Sequence, residues 1–107
     1  MSGFVYLICD NSNEKYKIGV TKQDINKRIK KLQTGNCTEL FVSKYYKTEF
    51  PFRMEKMLHN KFNVNRILNE WFDLSDYDVI HFIDHCKEIE KTINVMKENP
   101  FFAKDLK

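Results

Sequence analysis

Two apolar runs near the start of the chain, Phe4-Val5-Tyr6-Leu7-Ile8-Cys9 and Tyr16-Lys17-Ile18-Gly19-Val20, are separated by the polar stretch Asp10-Asn11-Ser12-Asn13. Asn, Asp and Ser stabilise turns by bonding nearby backbone, so the pattern predicts a β-hairpin. Side chains alternate across a strand, which places Phe4, Tyr6 and Ile8 on one face of the first strand and Lys17 and Gly19 on one face of the second. If the register aligns those faces, a phenol, an ammonium and the gap left by a glycine lie side by side. Tyr16 then points away from them and is read as structural.

Beyond the hairpin the period changes. Thr21-Lys22-Gln23-Asp24 has the form of a helix start, a threonine cap with a carboxylate three residues on. Ile25, Ile29 and Leu32 form one apolar stripe, and Gly35-Asn36 supplies the stop. Arg28 borders that stripe. From there its planar fork can reach over the hairpin to a phosphate, or its stem can cover the core edge while its head snorkels outward. Leu40 to Tyr46 is rich in β-formers and predicts a third strand. Pro51 suits the first turn of a second helix, on which Glu55, Leu58, His59 and Phe62 fall along one stripe. Asn63 to Asn69 reads as a loop carrying Arg66, and Glu70 to Leu74 as a short extended segment whose Trp71 and Phe72 are core or lid aromatics. Ser75 with Asp78 repeats the capping pattern. Val79, Phe82, Ile83, Cys86, Ile93 and Met96 then keep helical spacing to a stop at Pro100, with Phe101-Phe102 beyond it. The expected fold is α/β (α+β): a small three-stranded antiparallel sheet flanked by helices, with a long C-terminal helix.

Composition narrows the class. With 107 residues, 42% hydrophobic and 14% aromatic, the chain reads as one domain over residues 1–107, with a core at about 3–75 and a terminal helix at about 75–99. No apolar run approaches the ~20 residues of a membrane span and no signal core is present, so a soluble intracellular protein is expected, with no membrane partner. Cys9, Cys37 and Cys86 are single and odd in number and read as reduced apolar residues. His81 and His85 stand one turn apart, but no third ligand accompanies them. The net charge is only +3, yet Lys22, Lys27, Arg28, Lys30 and Lys31 crowd one segment. Such a cluster is either a solvated helix face or a phosphate-binding surface, to which Arg66 would add.

The chemistry centres on Glu55. A carboxylate on an apolar stripe needs a partner, either a protein cation or a metal, because burying it alone costs several kcal/mol or a raised pKa. The ordered set Phe4-Val5-Tyr6, Lys17-Ile18-Gly19, Arg28, Leu32-Gln33-Thr34-Gly35-Asn36, Glu55-Lys56-Met57-Leu58-His59 and Glu70-Trp71-Phe72 resembles the GIY-YIG nuclease family. It is closest to the branch whose second motif reads Tyr-Lys-Ile-Gly. Phe-Val-Tyr stands for Gly-Ile-Tyr, and Lys17 takes the place of the second motif's tyrosine.

The resemblance implies a metal-dependent endonuclease acting on DNA. Tyr6 would be the general base, and Glu55 would hold a single Mg²⁺ or Mn²⁺. A phenol with a pKa of ~10 needs help at neutral pH, which Lys17 would give from the paired strand. Arg28 would bind the scissile phosphate, and His59 would position water, protonate the leaving oxygen or serve structure alone. Lys22, Lys27, Lys30, Lys31 and Arg66 would contact the nucleic acid. So short a chain has little surface for base readout, which favours branched, nicked or flapped DNA, with a protein partner or a homodimer left open. The competing reading is a non-catalytic nucleic-acid-binding module on the same scaffold.

Overall fold

The computed structural model describes residues 2–12, 15–35 and 38–98. The hairpin forms as its polar turn requires: β1 (Gly3–Asp10) pairs antiparallel with β2 (Lys15–Thr21), with Tyr6 opposite Gly19 and Ile8 opposite Lys17. The phenol, the ammonium and the glycine therefore share a face. β3 (Leu40–Thr48) pairs with the other side of β1, and a bulge beside Leu7 and Ile8 shifts its register.

The sheet has five strands, not three. Beyond Phe62 the chain makes a single 3-10 turn, Asn63–Asn65, and then forms β4 (Arg66–Leu68) and β5 (Trp71–Phe72), giving the order β3-β1-β2-β5-β4. The expected loop over Asn63 to Asn69 thus contains a strand. Asn69, at φ 52°, turns the chain back between the two, in the left-handed region that asparagine tolerates.

Helices cover both faces. α1 (Ile25–Thr34) lies over the face carrying Tyr6, Ile8 and Leu40, against which Ile25, Ile29 and Leu32 pack only partly buried. Its cap is Asp24, whose carboxylate accepts from Asn26 N at 2.7 Å, and not Thr21 as expected. Thr21 stays in β2 and accepts from Gln23 N. The pairing of β2 with β1 carries through to Thr21, so the helix starts a few residues late. Gly35 caps the other end.

The opposite face holds the larger core: Val5, Leu7, Ile18 and Phe72 against Met54 and Leu58 of α2 (Pro51–Lys61) and Phe82, Cys86 and Ile93 of α4 (Phe82–Glu98). Pro51 opens α2 as its missing N–H allows. The terminal helix is two pieces. Ser75 caps the five-residue α3 (Asp76–Ile80) by accepting from Asp78 N, and the chain breaks at His81 before α4 begins. The apolar stripe runs across that break, so its period did not reveal it. Tyr46 and Thr48 of β3 both donate to the Glu90 carboxylate, tying α4 to the sheet. Pro100, Phe101, Phe102, Asn13, Asn36 and Cys37 lie outside the described residues; of the other cysteines, Cys86 is buried and Cys9 partly so. Among the described residues no helix is long and apolar enough to cross a membrane.

Candidate active site

Tyr6 and Gly19 form one unit. The phenol lies across the glycine so closely that a Cβ at position 19 would sit 2.6 Å from Tyr6 Cζ. The gap expected beside the phenol is therefore filled by it. Tyr6 is 1% exposed, and Arg28 Nε, arriving from α1, donates to its hydroxyl at 3.3 Å. Arg28 thus turns inward from the lysine-rich helix, as its place beside the stripe allows.

Lys17 takes a different partner from the one the sequence suggested. Its ammonium donates to Glu70 Oε2 at 2.8 Å and lies 5.8 Å from the centre of the Trp71 ring, its neighbour across the β2–β5 pairing. Glu70 is the residue that sequence reasoning did not assign to the site. It reaches Lys17 because the turn at Asn69 precedes it and its own carbonyl accepts from Ile18 N at 3.1 Å.

Glu55 and His59 enter from α2, one turn apart. His59 Nε2 lies 2.9 Å from the Ile18 carbonyl oxygen, and its ring packs against Phe72. A carbonyl only accepts, so Nε2 carries a proton and Nδ1 is the nitrogen left for another partner. The backbone of Ile18 therefore fixes both His59 and Glu70.

Glu55 and Glu70 are hydrogen-bonded to one another. Burial first, then the charge and hydrogen bond of Glu70, push the Glu55 carboxyl up to about 7, against the opposing pull of Lys17 and Arg28. Burial also works against ionisation of Glu70, but the hydrogen bond and charge of Lys17, with Glu55 donating, outweigh it and hold Glu70 below the usual carboxylate range. Between the ordinary carboxylate range and about pH 7, Glu55 is therefore the protonated member of the pair and Glu70 the ionised one. Donor atoms of Glu55, His59 and Glu70 all lie within 4.8 Å of one another. Two carboxylates and an imidazole are a donor set that suits a divalent cation, which would take the place of the Glu55 proton.

The outer cations divide. Lys27, Lys30 and Lys31 follow helical spacing on the exposed side of α1 and, with Gln23 and Asp24, line a depression of about 530 Å³. Lys22 lies over the ring of Phe52 at 5.2 Å. Arg66 stands opposite Phe72 on β4, its guanidinium 5.3 Å from that ring, away from the α1 lysines. Of the sequence-predicted residues, then, the structure brings together Tyr6, Lys17, Arg28, Glu55 and His59, while the five binding cations spread around them.

No curated protein and no solved structure matches the chain. The model of one family, the T5orf172 domain, matches residues 3–97, a span that takes in the whole sheet and every residue of this site. The chain belongs to the T5orf172 domain family, which is related to the GIY-YIG nuclease-like fold.

Proposed function

We propose that this protein is a metal-dependent endonuclease of GIY-YIG type that hydrolyses phosphodiester bonds in DNA. The observation that carries the reading is the meeting of Tyr6, Arg28 and Glu55, drawn from β1, α1 and α2. Arg28 bonds the Tyr6 hydroxyl, and Glu55 is close enough to Lys17 and Arg28 for their charges to act on it.

Arg28 has five N–H donors and spends Nε on Tyr6. Its remaining fork is suited to the scissile phosphate, whose oxygens gain charge as the bond breaks. Drawing the guanidinium toward phosphate uncovers the Tyr6 oxygen, which, once its own hydroxyl proton has passed to solvent, accepts the proton of the attacking water. Glu55 would hold Mg²⁺ or Mn²⁺, which would supply positive charge to the phosphate as the bond breaks. Lys17 keeps Glu70 ionised and in place beside Glu55. His59 is held by Ile18, which suits it to orient a ligand or water better than to move through a reaction cycle.

The substrate reading follows from the surface. Tyr45, directly across from Tyr6 in the β1–β3 pairing, is 57% exposed and packs edge-on against Phe4. An unpaired base can stack on such a ring. The lysines of α1 supply charge for the backbone on the same side of the sheet. Flapped, branched or nicked DNA therefore fits better than intact duplex. A binding module without turnover has no use for two acids beside its phosphate cation, and that separates the two readings.

The test is incubation of purified protein with duplex, nicked, flapped and branched DNA in Mg²⁺, Mn²⁺ or chelator. Metal-dependent cutting of the substrates with unpaired strands is expected. Tight binding with no cutting in either metal would leave only the binding module.

A further inference from the structure

From the grouping of Glu55, His59 and Glu70 we infer that the protein carries a three-ligand metal centre, able to bind a first-row divalent cation such as Mn²⁺ before any nucleic acid arrives, and in preference to Mg²⁺. This deepens the reading of the site given above, and rests on it for Glu55 as a ligand, but its consequences concern metal binding and not cleavage.

Three observations carry it. First, the donor atoms are near one another: they lie within 4.8 Å, and three donors each about 2.1 Å from one ion stand about 3.0 to 3.6 Å apart, so side-chain rotations that close them by about 1 to 2 Å form the site. Among the described residues this is the group of three that comes so close. His81 and His85, by contrast, pair separately with Asp84 and Asp78.

Second, the imidazole is prepared as a ligand. Metal-binding histidines almost always donate their other N–H to a carbonyl or carboxylate, which fixes the ring and its tautomer. His59 does so to Ile18 O at 2.9 Å, an atom outside the ligand group.

Third, each acid is held by something other than the metal. Lys17 anchors one oxygen of Glu70 at 2.8 Å, and α2 fixes Glu55 one turn before His59. A site with a single carboxylate waits for substrate phosphate to complete its shell, as magnesium sites commonly do. Three protein donors, one of them nitrogen, remove that dependence and favour metals that accept imidazole over magnesium, which prefers oxygen.

The experiment is titration of the full chain, without DNA, with Mn²⁺ by electron paramagnetic resonance and with Mg²⁺ by calorimetry, repeated on Glu55→Gln, Glu70→Gln and His59→Gln. Circular dichroism would confirm that each variant folds. One Mn²⁺ per chain is expected, bound at least about tenfold more tightly than Mg²⁺, with each substitution weakening Mn²⁺ by about tenfold or more. Wild-type affinity in Glu70→Gln or His59→Gln would overturn the three-ligand centre, as would no Mn²⁺ binding or equal affinity for the two metals. DNA cleavage, measured separately, distinguishes the failures: bound Mn²⁺ without cutting removes the nuclease reading and leaves the centre, whereas cutting with unaltered binding in Glu70→Gln does the reverse.

Discussion

Arg28 Nε donates to the hydroxyl of Tyr6 at 3.3 Å, across 22 residues of chain and two layers of the fold. The bond makes a base candidate and a phosphate-binding candidate one unit. In Tyr6→Phe the ring still fills the space beside Gly19 and only the bond is lost, so stability should fall by about 1 kcal/mol while cleavage falls by about a hundredfold or more. Parallel melting and single-turnover measurements check this. A large loss of melting temperature with turnover intact would make the hydroxyl structural.

Gly19→Ala should be harsher on the fold. The added methyl must displace the phenol, whose ring carbons stand 2.6 and 2.8 Å from it. Tyr6 is enclosed and has no free direction to move in, so a loss of about 1 to 3 kcal/mol is expected, the usual range for overpacking. Urea unfolding measures it, and cleavage should fall as well because Tyr6 and Arg28 move apart.

The Glu55 proton gives a pH dependence with a definite sign. Glu55 rises from 4.5 in the unfolded chain to about 7 in the folded one. Its contribution to stability is thus complete below the lower value and is lost as pH climbs through the higher one. Glu55→Gln should remove that decline, which thermal melting across pH would show. For the proposed reaction the sign is opposite, because only ionised Glu55 holds a cation. Single-turnover rates should climb more steeply with pH below about 7 than above it. Saturating Mn²⁺ should move the midpoint downward, since the metal competes with the proton.

Glu90 offers a control away from the site. Tyr46 and Thr48 donate to its carboxylate, and burial, followed by the Glu90 hydrogen bond, pushes the Tyr46 hydroxyl up to about 12, so it remains a donor throughout the working range. Glu90→Ala leaves both hydroxyls unmatched. Stability should drop by about 2 kcal/mol, typical of hydrogen bonds to a charged group. The cleavage rate of the folded fraction should stay unchanged.

What the sequence revealed follows from the length of each signal. The β1–β2 hairpin could be read because two apolar runs flank a polar turn, whereas its register, with Tyr6 against Gly19 and Lys17 against Ile8, could not, since alternation gives faces and not pairing. Pro51 and Ser75 marked helix starts by chemistry that needs no tertiary context. β4 escaped because a strand of three residues carries no period, and Arg66 and Asn69 look like loop; β5 falls inside the extended segment expected over Glu70 to Leu74, but nothing in the sequence placed it beside β2. Glu70 stood in the motif Glu70-Trp71-Phe72 without a role, because a carboxylate after a turn has no spacing to relate it to Glu55, and only the pairing of β5 with β2 brings it to Lys17. The role imagined for Lys17 changed with it, from neighbour of the phenol to anchor of an acid.

The claim on which the rest depends is that Glu55 belongs to a metal-assisted phosphodiester site. It is tested most directly by comparing wild type and Glu55→Ala in one assay that reads both DNA binding and Mn²⁺-dependent cleavage. Cleavage should fall by at least about a hundredfold, with binding unchanged or tighter because a negative charge has gone. Cleavage by the variant at the wild-type rate would contradict the account.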